Sequence, residues 1–287
     1  MKLAALQMVS GSDLQANLRQ AAALMAQAAE AGAELLVLPE YFCLLGQRDT
    51  DKLDIQEAPG RGPIQDFLST QASRLGVWVV GGTLPLSVDG PNIDSSNASP
   101  HQTAAVSERV YNSSLVFDPQ GRCVARYDKI HLFAFDNGRE RYDESRALRA
   151  GSQPAMFELP SRDGHIWRVG LSVCYDLRFP ELYRHYAQQG ADLLLVPSAF
   201  THTTGQAHWE VLLRARAIEN LAYVAAAAQG GLHDNGRRTW GHSLVADPWG
   251  EVLAVQPEGA GVVLAELLAT HRAQRLQQLP ALSHRVL

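Results

Sequence analysis

Short apolar runs alternate along this chain with longer stretches of mixed polarity. Residues 2–8 form the first apolar run and predict a strand. Residues 14–31 are rich in Ala and Leu at the three-and-four spacing of a helix. Asp13 can cap this helix and Gly32 can end it. The chain therefore enters a strand and then an amphipathic helix, as α/β proteins do.

The alternation continues to the C-terminal part of the chain. It predicts strands at 34–38, 77–81, 110–117, 122–128, 167–174, 192–196 and 222–228, and helices at 62–75, 180–189 and 206–220. The turn at Asp118-Pro-Gln-Gly121 predicts a hairpin, and Asp247-Pro-Trp-Gly250 predicts a second one between residues 240–246 and 251–255. Two βα halves of this kind predict two largely parallel or mixed sheets, packed face to face with helices outside.

Residues 87–108 are polar and rich in Ser, Asn and Pro, which predicts a surface insertion. No shift in composition divides the chain, so residues 1–287 are expected to form a single domain. The content of 46% hydrophobic and 19% charged residues excludes a disordered chain.

Composition also restricts the partners. A net charge of -5 without a Lys/Arg cluster gives no indication of nucleic-acid binding. The longest apolar runs fall far short of the roughly 18 residues that a membrane helix needs, and no secretory signal precedes the first strand. Three cysteines without metal-ligand spacing argue against a disulfide framework and predict a reducing, cytoplasmic setting.

Three predicted strands end on residues that can carry chemistry. Glu40 follows one apolar run, Lys129 follows the second strand of the first hairpin, and Cys174 ends the strand that begins at residue 167. A thiol, a base and a cation at strand ends suffice for nucleophilic attack on an amide. Each residue also has a plain interpretation, because buried cysteines are usually inert and a carboxylate at a strand end is often only solvated.

Cys174 has the most informative surroundings of the three cysteines. The segment after it leads into a helix with Pro180 near its start. Backbone N–H groups near a helix start lower the pKa of a thiol, so we expect an activated Cys174 and a Tyr175 N–H available to an oxyanion. Cys43 falls in a predicted loop, and Cys123 falls in a hairpin strand at the core or at an edge.

Motifs for other kinds of catalytic or binding site are absent or weak. The sequence contains no zinc-protease or paired Cys-x-x-Cys motif and no glycine-rich nucleotide loop. Ser172 lacks the last glycine of a nucleophile elbow, and neither His131 nor His242 has an evident orienting partner. Glu144, judged from its chemistry alone, is most simply a surface charge.

The motifs resemble those of the nitrilase superfamily of carbon–nitrogen hydrolases over nearly the full length. The matching segments are Leu35-Leu-Val-Leu-Pro-Glu40, Tyr127-Asp-Lys129-Ile-His-Leu-Phe and Gly170-Leu-Ser-Val-Cys174-Tyr-Asp-Leu-Arg178-Phe-Pro-Glu181. The resemblance implies a Glu40–Lys129–Cys174 triad and gives Glu144 the place of the superfamily's second glutamate. It also implies an α/β fold, a four-layer αββα sandwich.

Within the superfamily, residues 198–220 resemble the Nit-type amidases. Residues 226–233 and 241–250 are most similar to the deaminated glutathione amidases, which implies cleavage of deaminated glutathione to 2-oxoglutarate and cysteinylglycine. The resemblance further implies an enzyme that needs no metal and no organic cofactor. It also implies a homodimer with contacts through the helix near Pro180, the helix over 206–220 and the C-terminal tail, residues 270–287.

A small anionic amide substrate calls for cationic and shape-defining residues in the pocket. Arg178 is the best candidate for a carboxylate clamp, although an ion pair with Glu181 or Asp176 is an equally good interpretation. Phe200 and Thr201 are expected to reach the same sheet edge and to line the pocket.

Alternative functions remain open from the sequence. An ω-amidase that acts on 2-oxoglutaramate, or an N-carbamoyl amide hydrolase, would use the same triad. A non-catalytic scaffold with this fold and a Rossmann-like nucleotide-binding module belong to other classes. The intact Glu, Lys and Cys positions argue against the scaffold, and the missing glycine fingerprint argues against the nucleotide-binding module.

Overall fold

The structure, a computed structural model, describes residues 1–88 and 109–286. Most of the predicted surface insertion therefore lies outside the described residues. The helices are α1 (Leu14–Glu30), α2 (Pro63–Leu75), α3 (Pro180–Gln188), α4 (His202–Asn220) and α5 (Ala269–Gln278). Short 3-10 turns occur at Asp51–Leu53, Glu144–Arg146, Cys174–Arg178 and Ala281–His284.

The strands of the first half and of the central region are β1 (Lys2–Gln7), β2 (Leu35–Val37), β3 (Trp78–Val80), β4 (Leu84–Ser87), β5 (Val110–Phe117), β6 (Cys123–Asp128), β7 (Ala134–Asp136), β8 (Arg141–Asp143) and β9 (Leu148–Arg149). Those of the second half are β10 (Ala155–Pro160), β11 (Ile166–Leu171), β12 (Leu193–Leu195), β13 (Tyr223–Ala226), β14 (Gly230–Leu232), β15 (Arg238–Trp240), β16 (Ser243–Ala246), β17 (Val252–Gln256) and β18 (Gly261–Glu266).

The described strands form two main sheets. The first has the order β18-β1-β2-β3-β5-β4, with β6 and β9 also paired to β5. The second has the order β10-β11-β12-β13-β16-β17. Strands β1, β2 and β3 are mutually parallel, as are β11, β12 and β13, and most edge strands are antiparallel. The predicted mixed sheets and both hairpins are confirmed.

Alternating side chains of β1 explain why the sheets stack. Leu3 and Ala5 belong to the core shared with the second sheet, whereas Ala4 and Leu6 belong to the core beneath α1 and α2. Both faces of the first sheet are therefore buried, which is why its central strands are continuous apolar runs. Helices α3 and α4 contribute to the core on the outer face of the second sheet. The layers follow the predicted αββα order, and the predicted fold class is confirmed.

Local signals fix several element boundaries. The Asp13 carboxylate accepts a hydrogen bond from Ala16 N at the start of α1, and Pro180 begins α3, as predicted. Two predicted boundaries were wrong. Strand β11 ends at Leu171, three residues before Cys174, and α4 begins at His202 because Thr201 caps it. The ribbon β7–β8 and the ribbon β14–β15 were not predicted.

The topology brings the ends of distant strands to one edge. Strand β5 is antiparallel to β3, and β6 is antiparallel to β5, so β6 runs in the same direction as β2. The residues after β2 and after β6 therefore emerge on the same side of the first sheet. A parallel bridge between Met8 and Gln229 shows that the parallel strands of the second sheet also end there.

Candidate active site

Glu40, Lys129 and Cys174 come together at this common edge. Each residue follows a strand: Glu40 comes after β2, Lys129 directly after β6, and Cys174 three residues after β11. The side chains of Glu40 and Lys129 are buried, and Cys174 is only 8% exposed. Glu40, Glu144 and Cys174 line one pocket, so the sequence-predicted residues lie in a single site.

Lys129 makes ion pairs with two carboxylates. Its Nζ lies 2.9 Å from Glu40 Oε1, 2.9 Å from Glu144 Oε1 and 2.8 Å from Glu144 Oε2. An ammonium has three N–H donors, so Lys129 can bond both carboxylates at once. The plain interpretation of Glu144 as a surface charge is therefore wrong, since its side chain is only 14% exposed and accepts bonds from Lys129.

Further hydrogen bonds fix the orientation of both carboxylates. Asn112 Nδ2 donates to Glu40 Oε1 at 2.8 Å, and Ala199 N donates to Glu40 Oε2 at 2.9 Å. Tyr41 Oη donates to Glu144 Oε1 at 2.8 Å, and Phe133 N donates to Glu144 Oε2 at 2.7 Å. Carboxylates held by two or more donors are fixed in rotamer and remain strong acceptors.

The electrostatics of the cluster follow from burial and from mutual attraction. Burial alone would lower the pKa of Lys129, but the charges of Glu144 and Glu40 outweigh it and raise the pKa well above its ordinary value. Burial alone would raise the pKa of Glu144, but Lys129 outweighs it and lowers that pKa. Both groups are therefore charged at neutral pH.

Cys174 occupies a strained turn. Its φ is +51°, in the left-handed region that residues other than glycine rarely adopt, and its N–H donates to Pro197 O at 2.9 Å. A residue in this region costs on the order of 1–3 kcal/mol and persists only where the surroundings enforce it. Tyr41, next to Glu40, has a φ of +57°. The strain lies beside both the thiol and the carboxylate.

The thiol of Cys174 is not activated in the way the sequence predicted. Burial raises its pKa well above the ordinary value, and the charge of Glu40 raises it further, whereas Lys129 opposes this shift. The expected lowering by a helix start is wrong because burial and the charge of Glu40 outweigh it; Cys174 begins a 3-10 turn, and α3 starts only at Pro180. The proton of the resting thiol therefore needs an adjacent base.

Asp176 connects the turn of Cys174 with the segment of Lys129, a role the sequence did not reveal. Its fully buried carboxylate accepts bonds from Tyr127 Oη at 2.6 Å and from Val173 N at 2.8 Å. It also contacts His131, through the backbone N at 3.1 Å and Nδ1 at 2.7 Å. His131 thus has an orienting partner, contrary to expectation, but does not line the pocket.

The pocket divides at Cys174 into two lobes. In the first lobe, the side chains that extend beyond the cluster include Tyr41, Asp49, Lys52, Tyr142 and Arg237. The second lobe is lined by Tyr175, Arg178, Phe200 and Thr204. Both lobes share Phe133, Cys174, Ala199 and Thr201. The predicted pocket residues Arg178, Phe200 and Thr201 thus lie at the second lobe, and Thr201 also borders the first.

The sequence left open an ion pair between Arg178 and Glu181 or Asp176. Arg178 forms neither pair, and the Asp176 carboxylate is engaged by His131 and Tyr127. Its guanidinium lies 5.7 Å from the ring centroids of both Tyr175 and Phe200 and 3.4 Å from His208 Nδ1.

The other candidate nucleophiles are engaged or remote. Ser172 Oγ donates to Leu195 O at 2.8 Å and lies 2.7 Å from Tyr183 Oη. Cys43 is buried, and burial raises its pKa to about 12. Cys123 is exposed on β6, which agrees with the predicted edge position and not with the core position.

Sequence reasoning missed Asn112, Tyr41, Lys52 and Arg237. Asn112 carried one usable indication, a polar residue within an otherwise apolar predicted strand. Within residues 1–88 and 109–286, no group of three or more His, Cys, Asp or Glu is placed to hold a metal ion. In the same part of the chain, none of the helices combines the length and the apolar character that crossing a membrane requires.

Comparison with known proteins agrees with this geometry. The model of the carbon–nitrogen hydrolase family matches residues 2–275. A deaminated glutathione amidase from Synechocystis sp. is 40% identical over 285 residues, which cover 99% of this chain and 97% of the relative. An omega-amidase, NIT2, from Danio rerio is 36% identical over 270 residues, 94% of this chain and 88% of the relative.

Solved structures show the same fold. The Caenorhabditis elegans NitFhit protein superimposes with a TM-score of 0.82 at 34% identity, covering 99% of this chain and 65% of that one. The chain belongs to the carbon–nitrogen hydrolase family. It is therefore an enzyme that hydrolyses carbon–nitrogen bonds, and the predicted enzyme class is confirmed.

Proposed function

We propose that this chain hydrolyses a short linear amide through a thioester on Cys174, with Glu40, Lys129 and Glu144 as the other catalytic-site residues. The observation that carries the proposal is the buried ammonium of Lys129, bonded to both Glu40 and Glu144 within 2.9 Å beside the thiol. A fixed cation next to a nucleophile stabilises the oxyanion that forms when an amide carbonyl is attacked.

In the first half-reaction, Glu40 accepts the proton of Cys174 and the thiolate attacks the amide carbon. Lys129 Nζ and the N–H of Tyr175 stabilise the oxyanion. Glu40 then gives its proton to the amine nitrogen as the carbon–nitrogen bond breaks, which leaves a thioester on Cys174. The raised pKa of the thiol makes this adjacent base necessary.

In the second half-reaction, Glu40 accepts a proton from water while the oxygen attacks the thioester. The tetrahedral intermediate collapses, the acid leaves and the thiol recovers its proton from Glu40. Glu144 acts through Lys129. Tyr41 and Phe133 donate hydrogen bonds that fix the Glu144 carboxylate, and this carboxylate positions the ammonium of Lys129. No step of this sequence calls for a metal or an organic cofactor.

The substrate we propose is deaminated glutathione, cleaved to 2-oxoglutarate and cysteinylglycine. Relatives named deaminated glutathione amidase, at up to 40% identity over nearly the whole chain, support this choice. The second candidate is 2-oxoglutaramate, which the relative named omega-amidase supports. Arg178, Phe200 and Thr201 are proposed to contact the substrate, because they line the pocket that contains Cys174.

We further propose a cytoplasmic homodimer in which residues 1–287 form a single domain. Helix α4 exposes Val211 at 69% and Ile218 at 47%, and such apolar side chains favour burial against a second copy. The C-terminal tail over residues 270–287 is expected at the same interface. Light scattering with wild type and Val211→Glu tests the assembly: a dimer that becomes a monomer supports it, and a wild-type monomer contradicts it.

The activity is tested by release of 2-oxoglutarate from deaminated glutathione and from 2-oxoglutaramate, with wild type and Cys174→Ala. A preference for deaminated glutathione that is lost in the variant supports both nucleophile and substrate. A preference for 2-oxoglutaramate keeps the mechanism and selects the second substrate. Activity that survives in Cys174→Ala contradicts the mechanism.

A further inference from the structure

Lys52 is a half-buried cation at the wall of the first lobe. Its Nζ lies 4.8 Å from the centroid of the Tyr41 ring and makes no hydrogen bond or ion pair with any residue that the structure describes. Burial lowers its pKa, and the charge of Glu144 partly restores it. An ammonium is strongly hydrated, so a partly buried one whose N–H groups reach no acceptor among the described residues is suited to an incoming anion.

Arg237 is a second cation of the first lobe. Its guanidinium lies 5.1 Å from the centroid of the Tyr142 ring. The carboxylate closest to it belongs to Asp49, whose Oδ1 is 3.9 Å from Nη1, beyond hydrogen-bond range. Because both side chains are partly exposed, this ion pair is weak. The planar fork of Arg237 therefore remains able to bind a carboxylate.

The remaining acids of the first lobe are already engaged. Glu40 and Glu144 share Lys129, and Asp143 Oδ1 accepts bonds from the backbone N and Oγ of Ser145. The first lobe therefore combines a satisfied ionic cluster beside the thiol with two less closely paired cations farther along the wall.

We propose that Lys52 and Arg237 bind the carboxylate at the far end of the substrate's acyl part, while the amine part lies in the second lobe near Arg178. This inference rests on the proposed function. Tyr41 links the two regions: its hydroxyl bonds Glu144, and its ring contacts Lys52. One aromatic ring thus separates the catalytic cluster from the cation, which suits the short acyl chain common to both candidate substrates.

The second lobe has different chemistry. Three of its eight lining residues are aromatic, and two of these, Tyr175 and Phe200, lie beside the guanidinium of Arg178. A larger amine part such as cysteinylglycine fits a wall with apolar contacts and one cation for its carboxylate. When ammonia is the leaving group, as from 2-oxoglutaramate, this lobe has little to bind.

The test compares kcat/KM for 2-oxoglutaramate, which has its carboxylate on the acyl side only, with that for the neutral amide pentanamide. The ratio of the two values measures the preference for the anion. Lys52→Met and Arg237→Met are each expected to lower this ratio by about 10- to 100-fold, the range for a hydrogen bond to a charged group. Lys52→Arg is expected to retain most of it.

Arg178→Met is the matched control, since it removes a cation from the other lobe. It is expected to lower kcat/KM for deaminated glutathione while the preference for 2-oxoglutaramate over pentanamide persists. A ratio that falls in Arg178→Met but not in Lys52→Met or Arg237→Met would overturn the assignment.

A binding measurement needs no turnover. Calorimetry compares the affinity for 2-oxoglutarate of Cys174→Ala with that of the double variant Cys174→Ala, Lys52→Met. If the wild type cleaves neither amide but Lys52→Met weakens this binding, the anion site stands and the proposed substrates fail. If the wild type prefers the anion and neither first-lobe variant alters the ratio or the binding, the anion site is wrong and the proposed function stands.

Discussion

Replacing Lys129 by methionine should destabilise the protein strongly, quite apart from its effect on activity. The change removes the only cation bonded to Glu40 and Glu144 within the described residues and leaves both carboxylates at least 86% buried by side chain. Loss of one partner of a buried ion pair costs about 3–5 kcal/mol. Each carboxylate keeps two other donors, so we expect the lower end of this range, about 3 kcal/mol.

The loss should depend on pH in a defined direction. Because the pKa of Glu144 is lowered, its stabilising contribution is present above its unfolded value of about 4.3 and is lost as the pH falls. Because the pKa of Lys129 is raised, its contribution is present below about 10.4 and is lost as the pH rises through the folded value. The cluster thus stabilises the wild type between these two limits.

In Lys129→Met the Glu144 carboxylate is buried without a cation, so its pKa should rise and its protonation should relieve the variant. The difference in free energy of unfolding between wild type and variant is therefore expected to shrink from pH 8 to pH 5. Urea denaturation followed by circular dichroism measures it. The control is Lys129→Met combined with Glu144→Gln, which removes one unpaired charge and should recover part of the loss. A deficit below about 1 kcal/mol that does not change with pH would refute the buried ion cluster.

Three further predictions follow from the same geometry. Glu40→Gln should abolish most amidase activity and yet lower the pH at which Cys174 is alkylated by iodoacetamide, because the charge of Glu40 raises the pKa of that thiol; an unchanged or higher midpoint would contradict the assigned electrostatics. Cys174→Gly should be more stable than Cys174→Ala in urea denaturation by about 1 kcal/mol, the reverse of the usual order, because φ at this position is +51°. Gly82→Ala should cost about 2–3 kcal/mol more than the control Gly138→Ala, since both glycines have positive φ but only the Cβ at residue 82 would lie 2.0 Å from Pro39 O; equal losses in thermal or urea unfolding would show that this close approach has no effect.

The order and type of most elements followed from the sequence because they depend on local patterns. Apolar periodicity located β1 and α1, and cap residues such as Asp13 and Pro180 located helix starts. Glu40, Lys129 and Cys174 were visible as residues that follow apolar runs for the same reason, although β2 and β11 end three residues before Glu40 and Cys174. Predicted helix boundaries were wrong where a capping residue outside the periodic stretch sets the start of the helix, as Thr201 does for α4.

The tertiary structure decided what these side chains do to one another. Judged from its chemistry alone Glu144 looked like a surface charge, and only the resemblance assigned it to the site; the contact with Lys129 that makes it part of a buried cluster exists only in the folded chain. Cys174 was expected to have a lowered pKa from its position before a helix, but burial and Glu40 raise it. The positions of Lys52 and Arg237 on one lobe depend on segments far apart in the chain. Local patterns determine secondary structure because hydrogen bonds and caps act within a few residues, whereas pKa values and pockets depend on distances that exist only after the sheets pack.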